Sequence, residues 1–117
     1  MSETFLPALV EGALSEGEKI GVRVNGWPVL ICLVNGVVLA VIDRCTHAAS
    51  ALAAGKLRGG AIMCPLHGAR FELASGRCIG GPYSPLKTFA VRLNAGMIEV
   101  AVPNTPPAIE NVQAWPV

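Results

Sequence analysis

Charged residues are scarce in this chain of 117 residues, and neither sign of charge dominates. Only 15% of the residues are Asp, Glu, Lys or Arg, and the formal net charge is +1. This balance argues against a basic protein that binds nucleic acid and against an acidic tail protein. The length is that of one domain, so residues 1–117 are predicted to form a single domain.

Long hydrophobic runs are also missing, although 52% of the residues are hydrophobic. The longest apolar runs are 27–34, which contains a proline, and 37–42. A membrane-spanning helix needs roughly 20 apolar residues, so no membrane association is expected. The first residues contain neither a positively charged start nor an apolar segment. No signal peptide is therefore expected, and the predicted location is the cytoplasm.

A long helical repeat with caps is absent, and the first third of the chain alternates as a strand does. Ile20, Val22 and Val24 share one predicted face. The dipeptides Asn-Gly at 25–26 and 35–36 are strong signals for tight hairpin turns. Residues 20–42 are therefore predicted to form a three-stranded antiparallel meander, with strands at 27–34 and 37–42.

The last third of the chain carries a second hairpin pattern. Apolar segments at 88–93 and 97–102 flank a turn at 94–96, and an extended tail is predicted at about 103–117, with Trp115 as an anchor. Between the β blocks, residues of about 44–87 are rich in Gly, Pro, Cys and His. The predicted fold class is all-β: an antiparallel sandwich or barrel with an inserted loop-rich subdomain.

Short elements of secondary structure are predicted inside that loop-rich subdomain. Residues 61–63 and 70–73 favour short strands, a turn is predicted at 75–76, and 50–54 favours one turn of helix.

Only four cysteines are present, and no two of them form a Cys-x-x-Cys pair. This absence argues against an all-cysteine zinc site and against plant-type ferredoxin spacing. In a reducing cytoplasm the cysteines are expected to bind metal or to be buried, not to form disulfides. Cys32 lies in an apolar strand and is interpreted as a buried hydrophobic residue. Cys78 is interpreted as a loop or core cysteine near the site.

The chain has only two histidines, and each lies beside a cysteine. The pattern is Cys45-x-His47, sixteen intervening residues, then Cys64-x-x-His67. A single Cys–His pair in a sequence is more often two ordinary buried residues than two metal ligands. Two such pairs, which together use every histidine of the chain, indicate a metal centre. Two thiolates and two imidazoles suit either one tetrahedral zinc or a [2Fe–2S] cluster with two Cys on one iron and two His on the other. The even division between two loops favours the cluster, and a structural zinc module remains the alternative.

At these residues the sequence resembles the Rieske family. The resemblance rests on Cys-Thr-His at 45–47, on Cys-Pro-Leu-His-Gly at 64–68, and on the Gly-Gly-Pro segment at 80–82. In spacing and length the chain is similar to the small soluble Rieske ferredoxins of bacterial aromatic-ring-hydroxylating dioxygenase systems. The resemblance implies a Rieske fold, one [2Fe–2S] cluster and the four ligands Cys45, His47, Cys64 and His67.

The same resemblance implies an electron carrier and not an enzyme. Its electrons would come from a flavoprotein (or flavin/iron–sulfur) reductase fed by NAD(P)H and go to a terminal Rieske oxygenase. A monomer is expected. The alternative within the family is a small cluster-bearing subunit of a larger reductase or oxygenase complex.

Two pairs of positions separate this chain from the high-potential members of the family. Where those proteins carry an extra cysteine in each ligand loop, this chain has Ser50 and Leu66. Where they carry Ser and Tyr hydroxyls that hydrogen-bond to sulfur, it has Ala69 and Phe71. Losing hydrogen bonds to sulfur lowers the reduction potential, so a value near −150 mV, at about the low end of the Rieske range, is predicted.

The distribution of charged residues and of apolar residues near the ligand motifs predicts how partner proteins bind. Residues 44–77 carry five basic side chains and one acidic one, whereas residues 1–43 carry two basic and five acidic ones. Some of these basic residues are expected to surround the cluster and to face an acidic partner surface. The two histidines are expected to face outward, beside a small patch made by Pro65, Leu66, Pro82 and Tyr83.

Overall fold

A computed structural model describes residues 3–45, 50–66, 68–79, 83–105 and 107 of the chain. This part of the chain contains ten strands and one short 3-10 helix, Leu52–Ala54. The strands are β1 (Glu3–Val10), β2 (Lys19–Val24), β3 (Trp27–Val34), β4 (Val37–Ile42), β5 (Lys56–Arg58), β6 (Ala61–Met63), β7 (Arg70–Glu72), β8 (Thr88–Phe89), β9 (Val91–Asn94) and β10 (Met97–Pro103).

Three antiparallel sheets are built from these strands. Their strand orders are β1-β10-β9, β2-β3-β4-β8 and β5-β6-β7. The first two sheets lie against each other, with β1 next to β2 and β9 next to β4. The third sheet lies within the loop-rich stretch at about 44–87. Because all the strand pairings are antiparallel, the predicted all-β antiparallel fold is confirmed. Among the described residues, no helix has the length and apolar character needed to cross a membrane.

The Asn-Gly turns form the predicted meander. Asn25 has φ 49° and Gly26 φ 80°, and the pair at 35–36 has nearly the same values. Two successive residues with positive φ make the turn whose twist matches antiparallel strands. The turns therefore set the register, in which Val24 pairs with Trp27 and Val34 pairs with Val37.

Strand β3 is the centre of the core. Its residues Val29, Leu30 and Ile31 are completely buried on both faces, as expected of a central strand covered on two sides. Each such side chain contributes about 1.5–3 kcal/mol through removal of apolar surface from water. The third sheet is attached to this core through Ile62 and Phe71, which are also fully buried.

One predicted strand proved to be two. Residues 88–93 were expected to run continuously, but β8 pairs with β4 whereas β9 pairs with β10 in another sheet. The chain changes sheets at Ala90, whose carbonyl accepts the amide hydrogen of Ala101 at 2.9 Å. The prediction was wrong because hydrophobic alternation continues through a residue that belongs to neither ladder.

The start of the predicted tail lies against the β2–β3 turn. The indole Nε1 of Trp27 donates to the carbonyl of Thr105 at 3.1 Å, and Asn25 Nδ2 donates to the carbonyl of Pro103 at 3.1 Å. Residue 106, residues 108–117 and the expected Trp115 anchor lie outside the described residues.

A partly buried ion pair links the two strands of the last hairpin and gives a first prediction. Arg92 Nε donates to Glu99 Oε1 at 2.6 Å, and Asn94 Nδ2 donates to Oε2 at 3.2 Å. These donors, Arg92 foremost, lower the pKa of Glu99 below its ordinary value of 4.5. The stability from this carboxylate is therefore present above pH 4.5 and is lost as the pH falls through the lowered pKa.

We expect Arg92→Gln to raise the pKa of Glu99, measured by carboxyl NMR titration of the cluster-loaded protein. Lys87→Gln is the control, because it removes an exposed ion pair to Glu3 at 3.9 Å that does not involve Glu99. An unchanged Glu99 titration in Arg92→Gln would contradict this account.

Candidate metal centre

Cys45 lies in a loop that begins directly after β4, here called loop 1 (residues 43–55). The backbone amide of Cys45 donates to the carbonyl of Ser50 at 2.8 Å, which ties these two parts of the loop together. The side chain is completely buried, and Leu52, also completely buried, anchors the far side of the loop. Loop 1 thus holds its thiol toward the protein interior.

Cys64 lies at the start of a second loop, here called loop 2 (residues 64–69), directly after β6. Its amide donates to the carbonyl of Ala69 at 2.7 Å, and the amide of Gly68 donates back to the carbonyl of Cys64 at 3.1 Å. The Cys64 side chain is 1% exposed. The two hydrogen bonds fold loop 2 into a tight turn whose thiol also faces the core.

The bases of the two loops are in direct backbone contact. Pairing of β5 with β6 places Lys56, which follows loop 1, opposite Met63, which precedes Cys64. Gly55 lies so close to Met63 that a Cβ built at position 55 would be 1.9 Å from the Met63 carbonyl oxygen. Only glycine allows this approach, so the β5–β6 pairing and Gly55 together bring the two loops side by side.

Asp43 closes loop 1 from inside the protein. Its carboxyl group is 1% exposed, and Oδ1 accepts the amide hydrogen of Ala53 at 2.8 Å across the loop. Oδ2 has no hydrogen-bond partner among the described residues. Burial raises the pKa of Asp43, while the amides of Ala53 and Leu52 oppose that rise. Sequence reasoning missed this role, although Asp43 is the only aspartate in the chain and lies two residues before Cys45.

A third segment is attached to the same region. The amide of Leu86 donates to the carbonyl of Gly76 at 2.7 Å, and the amide of Ile42 donates to the carbonyl of Lys87 at 2.9 Å. These bonds fix one end of the segment that contains the predicted Gly-Gly-Pro motif. The motif itself, residues 80–82, lies outside the described residues.

The two predicted histidine ligands, His47 and His67, also lie outside the described residues. Within the residues that are described, no three His, Cys, Asp or Glu side chains come together as a metal site. The predicted cysteine ligands fit an iron–sulfur cluster, because both belong to one buried core and no disulfide joins any of the four cysteines. Two buried sulfurs on adjoining loops suit one iron of such a cluster.

The other two cysteines are in different surroundings. Cys32 is completely buried within β3, opposite Lys19 in β2, and burial raises its pKa to about 12. It is therefore a protonated thiol at neutral pH, as the interpretation of a buried hydrophobic residue requires. Cys78 is half-buried and forms an isolated bridge with Phe71 in β7.

The predicted apolar patch is only partly at the surface. Leu66, at the tip of loop 2, is 60% exposed and Pro65 is also exposed. Tyr83 instead packs half-buried against the core, and Pro82 lies outside the described residues. The two residues that replace hydroxyl-bearing ones are both buried: Ala69 is the last residue of loop 2, and Phe71 lies in β7.

Comparison with known proteins agrees with the predicted iron–sulfur site. Residues 4–90 match the Rieske [2Fe-2S] domain family. The chain is 32% identical over 101 residues to the ferredoxin component of the naphthalene 1,2-dioxygenase system of Pseudomonas aeruginosa. That alignment covers 86% of this chain and 97% of the relative.

Two solved structures share the fold. The Sphingomonas yanoikuyae B1 ferredoxin superposes with a TM-score of 0.80 at 27% identity, covering 86% of this chain and 100% of that one. A chain of the complex of reduced oxygenase and oxidized ferredoxin in carbazole 1,9a-dioxygenase gives 0.77 at 31%, covering 83% and 92%. The protein therefore belongs to the Rieske [2Fe–2S] family, as an electron-transfer ferredoxin and not as a catalytic subunit.

Proposed function

We propose that the protein holds one [2Fe–2S] cluster between loops 1 and 2 and carries single electrons to a terminal Rieske oxygenase. Cys45 and Cys64 bind one iron, and His47 and His67 bind the other. The cluster supplies a site that accepts and returns one electron. The observation that carries this proposal is the contact between Gly55 and Met63, which sets two buried cysteines on adjoining loops.

The chain's own residues give the site an inside and an outside. Cys45 and Cys64 are buried, whereas Pro65 and Leu66 at the tip of loop 2 are exposed. This polarity supports a cysteine-bound iron within the protein and a histidine edge that faces solvent. Electrons would then be exchanged at that edge, across a small contact typical of transient complexes.

The relatives support the choice of partners. The naphthalene dioxygenase relative is a component of a multicomponent system, and the carbazole structure holds a ferredoxin together with an oxygenase. By analogy, this protein receives electrons from an NAD(P)H-dependent reductase and delivers them to the oxygenase of an aromatic-ring-hydroxylating system. Four cysteines without a disulfide support a cytoplasmic location.

The reduction potential offers a quantitative prediction. No hydroxyl is available at positions 69 and 71, so the potential is expected near −150 mV, at about the low end of the Rieske range. Because the carbonyl of Ala69 is bonded to the amide of Cys64, Ala69→Ser places a hydroxyl beside that ligand. A hydrogen bond to charged sulfur contributes about 1.5 kcal/mol, so the potential should rise by about 60 mV.

Protein-film voltammetry measures both values. The matched control is Ala61→Ser, which adds the same hydroxyl on the outer side of β6 and should leave the potential unchanged. A wild-type potential above zero, or an equal shift in both variants, would contradict the prediction.

The proposed function is tested by characterising protein purified without oxygen. We expect two irons and two acid-labile sulfides per chain, visible absorption, and an EPR signal of low average g-value after reduction by dithionite. The reduced protein should then be reoxidised by an oxygenase component together with its aromatic substrate. A colourless protein that contains one zinc would support the structural zinc module instead and would refute the electron carrier.

A further inference from the structure

The outer face of the small sheet β5-β6-β7 carries three of the six basic side chains found in residues 44–87. Alternation along each strand turns Leu57, Ile62 and Phe71 toward the protein. The opposite face carries Lys56, Arg58, Ala61, Met63, Arg70 and Glu72. We call the group formed by Lys56, Arg58 and Arg70 around Met63 the basic face.

The register of the strands brings these cations together. Lys56 lies opposite Met63, which lies opposite Arg70, so two cations flank one methionine in a single row about 10 Å wide. Together with Arg58 and Ala61 they line a hollow of about 330 Å³. Met63 is 36% exposed at this surface. The hollow is therefore apolar in the middle and positively charged around it.

No carboxylate among the described residues forms an ion pair with Lys56, Arg58 or Arg70. The two ion pairs found among the described residues, Lys87–Glu3 and Arg92–Glu99, lie on other strands or segments. Glu72 shares the outer face, where its Oε1 accepts the hydroxyl hydrogen of Ser75 at 2.5 Å, and it offsets one of the three positive charges. The face therefore keeps a net charge of +2, and its like charges repel one another, whereas an acidic partner surface would be attracted to it.

The basic face continues into the ligand loops. Met63 immediately precedes Cys64, and Arg70 follows Ala69, whose carbonyl is bonded to the Cys64 amide. A second hollow of about 300 Å³ extends from Lys56 and Met63 to Pro65 in loop 2. A protein bound on the basic face would therefore contact the loops at which the proposed cluster exchanges electrons.

We propose that the basic face is the docking surface for a redox partner that presents Asp and Glu side chains beside its own electron entry or exit point. This inference rests on the proposed function and names the chemistry of the partner. Steering between opposite charges accelerates such an encounter roughly 10- to 1,000-fold at low salt, and the contact around Met63 holds the complex.

The test compares two variants with the same change in net charge. The first, K56Q/R58Q/R70Q, removes three positive charges from the basic face. The second, V10E/V37E/L93E, is here called the distal variant. It adds three negative charges at positions that are each more than half exposed. Val37 begins β4 and Ile42 ends it, so Val37 is about 17 Å from the base of loop 1. Both variants are used as cluster-loaded protein with unchanged visible and EPR spectra.

The first readout is the rate of oxidation by small redox partners of opposite charge in stopped flow at low ionic strength, where charge screening is weak. Anionic ferricyanide should oxidise K56Q/R58Q/R70Q about tenfold more slowly than the wild type, and a cationic cobalt(III) complex should oxidise it faster. The distal variant should differ from the wild type by less than about twofold. Equal rates in all three proteins, or equal slowing in both variants, would overturn the proposal.

The second readout does not require electron transfer, so it separates this proposal from the proposed function. Poly-L-glutamate should shift the amide NMR signals of β5–β7 in the wild type and in the distal variant, and roughly tenfold more weakly in K56Q/R58Q/R70Q. Shifts that are absent from β5–β7 would overturn the docking surface. Tighter binding of a single-stranded DNA oligonucleotide at the same residues would also overturn it, in favour of a nucleic-acid partner.

Discussion

Replacing either Cys45 or Cys64 by alanine should give a colourless protein, whereas Cys32→Ala should remain coloured. All three side chains are buried, so each substitution removes a similar volume from the interior. Only the first two lie on the adjoining loops, and burial keeps Cys32 protonated with a pKa of about 12. Loss of one thiolate would remove half of the protein ligands from one iron, so bound iron should fall to a small fraction of the wild-type amount.

The measurements are iron and sulfide per chain, visible absorption and thermal unfolding. Cys32→Ala serves as the control for cavity formation and should cost about 1 kcal/mol of stability while it keeps the full iron content. Retention of the cluster in Cys64→Ala would refute the assignment of ligands. Loss of the cluster from Cys32→Ala, with folding intact, would refute the interpretation of Cys32 as a core residue.

Gly55→Ala should be almost as damaging, although residue 55 binds nothing itself. Its φ of −81° suits any residue, so the effect is purely one of space. The new Cβ would lie 1.9 Å from the carbonyl oxygen of Met63, and the two backbones would have to separate by about 1 Å. That separation moves loop 1 away from Cys64, so we expect about half of the cluster or more to be lost and about 1–3 kcal/mol of stability with it.

Gly59→Ala is the matched control for this substitution. Gly59 has φ +60° and open space around its Cβ position, so alanine there costs about 1 kcal/mol of backbone strain without moving either loop. Iron content and unfolding should be measured for both variants, prepared in the same way. A fully loaded Gly55→Ala protein would show that the backbone contact does not align the loops.

Local signals were sufficient to predict the central meander. The Asn-Gly turns limit the choices at each end of β3, and the bounds 27–34 and 37–42 are confirmed. Strand β1 was not predicted, because Pro7 interrupts it and its register shifts between Pro7 and Leu9. Strand β5, three residues long, was not predicted either, because its pairing with β6 and not its own sequence makes it a strand.

In the metal centre, too, features that depend on short sequence motifs were predictable, whereas features that depend on contacts formed only on folding were not. Spacing of Cys and His within each short motif is local, so the sequence is enough to predict all four ligand positions, which stay predictions. The roles of Asp43 and Gly55 depend on Ala53 and Met63, which meet them only after folding. These tertiary contacts could not be predicted from a single sequence, because neither Asp43 nor Gly55 belongs to a recognisable motif.

The backbone contact between Gly55 and Met63 has a consequence for speed. Both cysteine loops adjoin strands that are paired with each other and packed on the core, so a change in charge at the proposed cluster would meet a framework with little freedom to rearrange. The slow part of a biological electron exchange is often the motion of surrounding atoms toward the new charge. Paired and packed strands of this kind would keep that motion small, which would suit a small carrier to rapid, reversible exchanges.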